Sequence, residues 1–181
     1  MLNLYIKECE FFNNSTNEFF TVPECVLRLE HSLKAVAKWE SKWGKPFLSK
    51  DKMSDKEVKD YIKCMLIDEV PYIDLIINNL SATNEEIIAN YIDSKMTATW
   101  FSDDKNQPKN NKVITSEIIY YWMIAQNIPL ECENWHLNRL LTLIKVCSIE
   151  NSPKKKMSKG EEARNRAALN KARRMRSGSK G

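Results

Sequence analysis

Histidine and glycine are scarce in this 181-residue chain: two His and four Gly. So little glycine leaves no Gly-rich phosphate loop, and neither a nucleophile elbow nor a paired-His hydrolytic metal motif is present. Long apolar runs are missing too. The most apolar stretch, EIIYYWMIAQNIP at 117–129, ends at Asn127 and Pro129, well short of the roughly 18 to 20 residues a membrane span needs. The opening residues MLNLYIKECE lack the charged n-region, apolar run and small-residue cleavage site of a secretory leader. Cysteines are odd in number and widely spaced, at Cys9, Cys25, Cys64, Cys132 and Cys147, which favours free thiols in a reducing cytoplasm. Cys132, His136 and Cys147 are the nearest approach to a metal set, but C-x3-H-x10-C is no zinc spacing and lacks a fourth ligand. With no convergent titratable groups in view, neither enzymatic activity nor a cofactor is expected.

What the chain does have is divided charge. Residues 153–181 hold six Lys and five Arg against two Glu, leaving 17 basic and 22 acidic residues in 1–152. The expected organisation is an acidic, mostly helical globular domain over 1–152 and a basic tail over 153–181, partly helical or disordered. Such a tail suits nucleic acid or an acidic protein surface.

Hydrophobic periodicity predicts a mainly α (α+β) fold: a compact helical domain with a short N-terminal β-hairpin or strand pair. Leu2, Leu4 and Ile6 alternate, and Phe19, Phe20 and Val22 follow the polar turn NNSTN. From Leu29 the period becomes helical, with Leu33, Val36 and Trp43 on one side and His31, Lys34, Lys38 and Lys42 opposite, up to a stop at Gly44 and Pro46. Capping-box spacings at Ser54/Glu57, Thr83/Glu86 and Ser158/Glu161 predict three further helix starts. Pro71 opens the apolar segment YIDLII, and SDDKNQPKNNK at 102–112 reads as an exposed loop. A last body helix spans about Asn134 to Ile149, burying Leu137, Leu140, Leu141, Ile144 and Cys147. The tail helix is mostly alanine on its apolar side, so it has little to bury and is expected to order against a partner.

Three places invite a binding role. Glu40 falls in the middle of the apolar stripe, where a carboxylate needs a Trp N–H, an Arg such as Arg139, or a backbone amide to satisfy it. Trp135 and Arg139 lie four apart, close enough to stack, and such pairs anchor many interfaces. Finally, a helix apolar all round, as 117–126 is, must be enclosed by its own core or by a partner. The expected arrangement puts Ile118, Trp122 and Ala125 inward, with Tyr120, Tyr121 and Met123 nearer a groove.

Two blocks, LRLEHSLKAVAKWESKWGKPFLS at 27–49 and ITSEIIYYWMIAQNIPLECENWHLNRLLTLIKVC at 114–147, resemble the tail assembly chaperones of long-tailed (siphovirus-type) bacteriophages. Within the first stands WExxWxKPFLS, at Trp39, Glu40, Trp43, Lys45, Pro46, Phe47, Leu48 and Ser49. The hairpin, TATWF at 97–101 and the basic end PKKKMSKGEEARNRAALNKARR are similar in kind. The resemblance implies a non-enzymatic factor that binds the apolar, helical tape measure protein, keeps it soluble and helps recruit tail tube subunits. Its place would be the host bacterial cytoplasm rather than the mature virion, with self-association open. Partner contacts are then expected at Trp39, Glu40, Trp43, Tyr120, Tyr121, Met123, Trp135 and Arg139, and from the tail at Lys154, Lys155, Lys156, Arg173, Arg174 and Arg176. Two other readings stay open. One is a nucleic-acid-associated phage protein acting through its basic tail, by phosphate attraction alone because no aromatic residue is interleaved there. The other is a structural head-to-tail joining protein.

Overall fold

Alternation at Leu2, Leu4 and Ile6 does make a strand, but its partner lies further along the chain than a short hairpin would place it. The computed structural model describes residues 1–13, 17–49, 51–101, 113–152 and 159–177. Strand β1 (Leu2–Ile6) pairs antiparallel with β4 (Cys25–Leu29), and between them β2 (Cys9–Asn13) pairs with β3 (Glu18–Val22). One register serves both pairs, with Leu2 opposite Leu29 and Cys9 opposite Val22, so the four strands form one long two-stranded ribbon. The ribbon is interrupted where Pro23, which has no N–H to give a ladder, stands between β3 and β4. Burial changes parity at that break: Leu4, Leu27 and Leu29 point into the core at the base, while Phe11, Phe20 and Val22 turn inward beyond it.

Leu29 therefore ends a strand rather than starting a helix. Val26 to Leu29 fits either period, and pairing with β1 decides in favour of β. Leu29 also bridges to Leu66, Ile67 N–H donates to Arg28 O at 3.0 Å, and the Arg28 guanidinium pairs with the Asp68 carboxylate. Helix α1 (Leu33–Trp43) begins after Ser32, whose hydroxyl accepts from Ala35 N–H at 3.2 Å. His31, expected opposite the apolar stripe, lies before the helix and is buried. The C-terminus behaves as its sequence predicts: Gly44 takes φ 62° and donates to Glu40 O at 2.7 Å, a conformation that costs glycine little.

Helix α2 (Asp55–Cys64) carries the complete Ser54/Glu57 capping box. Helix α3 (Ile73–Asn78) follows Pro71. Helix α4 (Ala82–Asp93) is capped two residues before the expected Thr83, because Ser81 is extended and its hydroxyl accepts from Asn84 N–H at 3.2 Å. Helix α5 (Ser116–Ala125) ends before Pro129, which opens a short 3-10 turn at Leu130–Asn134. Helix α6 (Leu137–Glu150) starts three residues after the expected Asn134 and buries Leu137, Leu140 and Ile144, with Leu141 and Cys147 half-buried. The expected loop at 102–112 and the expected cap at Ser158 lie outside the described residues.

The fold is mainly helical α+β. It divides into two units, Met1–Ser148 and Ile149–Gly181, close to the change in composition at 152/153. Within the second unit, helix α7 (Lys159–Ser177) is formed, and every residue from Ala163 to Arg176 is exposed. No described helix is long and apolar enough to cross a membrane.

Candidate functional site

The WExxWxKPFLS block folds into a joint between α1, the following turn, α2 and α5. Trp39 is only 1% exposed, and its indole N–H donates to Glu57 O at 2.9 Å. Glu40 Oε1 accepts from Phe47 N–H and Oε2 from Ser116 N–H, both at 2.8 Å. Of the partners open to Glu40, backbone amides are the ones taken. Lys45 Nζ reaches Glu57 Oε1 at 2.6 Å, while Glu57 Oε2 accepts from Ser54 N–H at 2.7 Å. Those bonds, led by the one from Lys45, hold the Glu57 carboxyl down to about 2. Phe47 fills the centre, its ring 4.2 Å from Tyr61 and edge-on to Trp39 at 5.4 Å. Trp39 and Glu40, expected at a partner surface, are thus enclosed. Their spacing on α1 points them at α2 and α5, which periodicity on one helix cannot reveal. Trp43 is half-buried; Lys45 and Lys56 place their ammonium groups 6.0 and 5.9 Å from its ring, and its N–H has no partner among the described residues.

Helix α5 turns a different side inward from the one expected. Ile119 and Met123 are fully buried, Ile118 and Trp122 are half-buried, and Ala125 is exposed. A helix apolar all round carries no directional signal, so its rotation follows its anchors: Ser116 N–H on Glu40, and the half-buried Tyr120, whose hydroxyl donates to Glu133 Oε2 at 2.7 Å. Met123 is accordingly a core residue, not a groove contact. Tyr121 is outward, 66% exposed, and Ile124, which the sequence reading did not single out as a contact, is 65% exposed. Spaced three apart, they share one side of the helix. That spacing was the signal available for Ile124.

Arg139 does stack on Trp135, 4.2 Å from the ring centroid, with the indole half-buried and the guanidinium exposed. The two histidines meet in the core with ring centroids 5.0 Å apart. His31 Nδ1 bonds the Tyr61 hydroxyl. His136 Nε2 lies 3.0 Å from Tyr91 O, and its Nδ1 accepts from Asn138 N–H at 3.3 Å, so Nε2 carries the proton. His136 is thereby used in the backbone joint between α4 and α6, away from metal ligation. No group of three His, Cys, Asp or Glu among the described residues could hold a metal ion.

The structure also opens a cleft of about 420 Å³ between the ribbon and the α3–α4 connection, floored by Ile6, Phe11, Val22, Ile76 and Leu80 with Lys7 at its wall. Its walls come from segments some seventy residues apart, and no local pattern announces it. Of the tail residues, Arg173, Arg174 and Arg176 are exposed on α7, and Lys154, Lys155 and Lys156 lie outside the described residues.

No family model, curated protein or solved structure matches the chain. Its function is therefore argued from its surfaces. Trp43, Tyr120, Tyr121, Trp135 and Arg139 keep a side chain wholly or partly at the surface of the first unit; Trp39, Glu40 and Met123 do not.

Proposed function

We propose that the chain is a protein-binding assembly factor, a tail assembly chaperone that shields the apolar helices of a phage tape measure protein and helps recruit tail tube subunits. The observation that supports this reading is the outward side of α5, where Tyr121 and Ile124 stand about two-thirds exposed on a helix otherwise anchored in the core. An aromatic and an aliphatic side chain at i and i+3 suit the helix-in-groove and helix-on-helix contacts by which amphipathic partners are held. Rigid seating of the helix matters here, because a backbone already ordered loses less entropy on binding. Ile119, Met123 and the Glu40 bond to Ser116 N–H supply it. The Trp135–Arg139 stack offers a second contact of the kind that anchors interfaces.

The test is co-expression with the tape measure protein encoded beside the gene. The double variant Tyr121→Ser, Ile124→Ser should keep its circular dichroism and thermal midpoint yet lose most of the soluble tape measure protein. Undiminished solubility with that variant would overturn the assignment of this face. No effect of the wild-type chain on solubility would overturn the chaperone reading itself.

A further inference from the structure

We propose that the cleft between the ribbon and the α3–α4 connection is a docking site for the C-terminal end of a partner polypeptide, one that finishes in an apolar residue with a free carboxylate. The site lies wholly within the first unit and is separate from the outward side of α5. Its volume of about 420 Å³ falls in the range of about 300 to 1,000 Å³ usual for ligand pockets. Ile6, Phe11, Val22, Ile76 and Leu80 make an apolar floor, which takes apolar side chains. The rim decides what carries them. Lys7 is the only cation among the lining residues, and no carboxylate is among them: Glu8, next in the chain, and Glu85, on the first turn of α4, do not line the cleft. Lys7 is exposed and forms no ion pair among the described residues. Ser81, Thr83 and Asn84 bring the start of α4 to the same cleft. Asn84 N–H is taken by the Ser81 hydroxyl, which leaves Ala82 and Thr83 N–H, at the first two helical positions, without an intrahelical acceptor. An anionic group in the cleft is therefore favoured by the Lys7 ammonium, by free helix N–H groups and by the helix dipole.

The backbone at the break in the ribbon selects a peptide over other apolar anions. Pairing stops at Ile6 and resumes at Cys9, so Lys7 and Glu8 stand outside both ladders. By the shared register Glu8 lies opposite Pro23, which has no N–H to give. Among the described residues the Lys7 and Glu8 N–H groups meet no protein acceptor, and Lys7 O takes only the weak Cys9 thiol donor at 3.3 Å. Unladdered backbone beside an apolar floor suits an added strand, in which main-chain bonds give the hold and alternate side chains reach the floor. The carboxylate that ends such a strand answers Lys7 and the start of α4. A fatty acid would satisfy the floor and the cation, but it has no amides to offer the backbone.

The experiment is fluorescence anisotropy of the full-length protein with short fluorescein-labelled peptides ending in Val, Ile, Leu or Phe, each as the free acid and as the C-terminal amide. At least one free acid should bind, and its amide should bind about 10-fold more weakly, the loss expected for a charge-assisted bond. Lys7→Gln should weaken the free acid by about 5-fold and leave the amide unchanged, a split that a merely structural lysine would not produce. Thr83→Trp, at an exposed position on the rim, should fill the cleft and weaken both forms; circular dichroism and the thermal midpoint check that the fold survives. In isotope-labelled protein the bound acid should shift the NMR amide signals of Lys7, Cys9, Leu80 and Thr83. Binding by none of the free acids, equal affinity for acids and amides, or shifts confined to Tyr121 and Ile124 would each overturn the site. Displacement of the peptide by decanoate at matching concentration would assign the cleft to a lipid and overturn it as well. Lys7→Gln leaves the α5 surface intact and should still solubilise the tape measure protein, so the two proposals fail independently.

Discussion

Glu40 caps a helix that begins seventy-six residues later in the chain: its Oε2 accepts from Ser116 N–H at 2.8 Å, at the first turn of α5. Thr115, in the N-cap position, makes no side-chain cap bond, so the tertiary carboxylate takes over that role. A negative charge at a helix N-terminus is also favoured by the helix dipole. The other oxygen accepts from Phe47 N–H, which joins the end of α1 to the start of α5 through one side chain.

Removing that carboxylate leaves two backbone N–H groups in the joint without an acceptor. Glu40→Ala should lower stability by about 2 to 4 kcal/mol, and Glu40→Gln, which keeps one acceptor oxygen, by roughly half as much. Urea denaturation monitored by tryptophan fluorescence measures both. A loss below about 0.5 kcal/mol for the alanine variant would show that water replaces the carboxylate.

Acid should destabilise the first unit through two groups in turn. Burial, and then the neighbouring His136, lower His31 to about 4 from its ordinary 6.5. A folded value below the unfolded one means that the unfolded chain takes up the proton first as pH falls. Stability from this group is complete above about pH 6.5 and is lost on the way down to about pH 4, by about 3 kcal/mol. Denaturation midpoints across that range should flatten in His31→Gln, whose amide does not titrate.

Glu57 contributes the lower stage. Its carboxyl is held at about 2 by Lys45 first and then by Ser54, so its contribution is present above the ordinary 4.5 and lost as pH falls toward 2. Lys45→Met should move the Glu57 carboxyl titration, followed by carbon NMR, upward toward the ordinary range. An unmoved titration would assign the depression to Ser54 alone.

The two sides of α5 should respond oppositely. Met123→Ala empties a fully buried site and should cost about 2 to 5 kcal/mol. Tyr121→Ser and Ile124→Ser, both outward, should each stay within about 0.5 kcal/mol of wild type while reducing tape measure binding.

Gly44 offers a test of backbone rather than contact. A Cβ there would meet nothing within 4 Å, so the cost of Gly44→Ala comes from φ 62° alone and should be about 1 kcal/mol. Gly44→Asn should cost less, because Asn tolerates the left-handed region.

Local chemistry was readable at several places where it closes within a few residues, though the Ser32 and Ser81 caps were missed. Ser54 and Glu57 cap each other across one turn, Gly44 stops α1, and Arg139 stacks on Trp135 four residues back. Reading failed where the partner is remote. Leu29 looked helical until β1 was set beside it, and His31 looked solvent-facing until Tyr61 and His136 closed over it. The family resemblance put Trp39 and Glu40 at a partner surface, although the place of Glu40 in the apolar stripe already called for a buried tie such as the backbone amides it takes; a single helix shows which residues share a side, not what that side meets.

From sequence alone come the helical class, the start of α2 and the stop of α1, the divided charge and the Trp135–Arg139 stack, since each depends on neighbours within about a turn or on composition. Tertiary structure alone decided which side of α5 faces water, where the Glu40 carboxylate goes and how far the ribbon runs. An all-apolar helix has no preferred face of its own, a buried carboxylate takes whichever N–H the fold delivers, and strand pairing is settled between residues far apart in the chain.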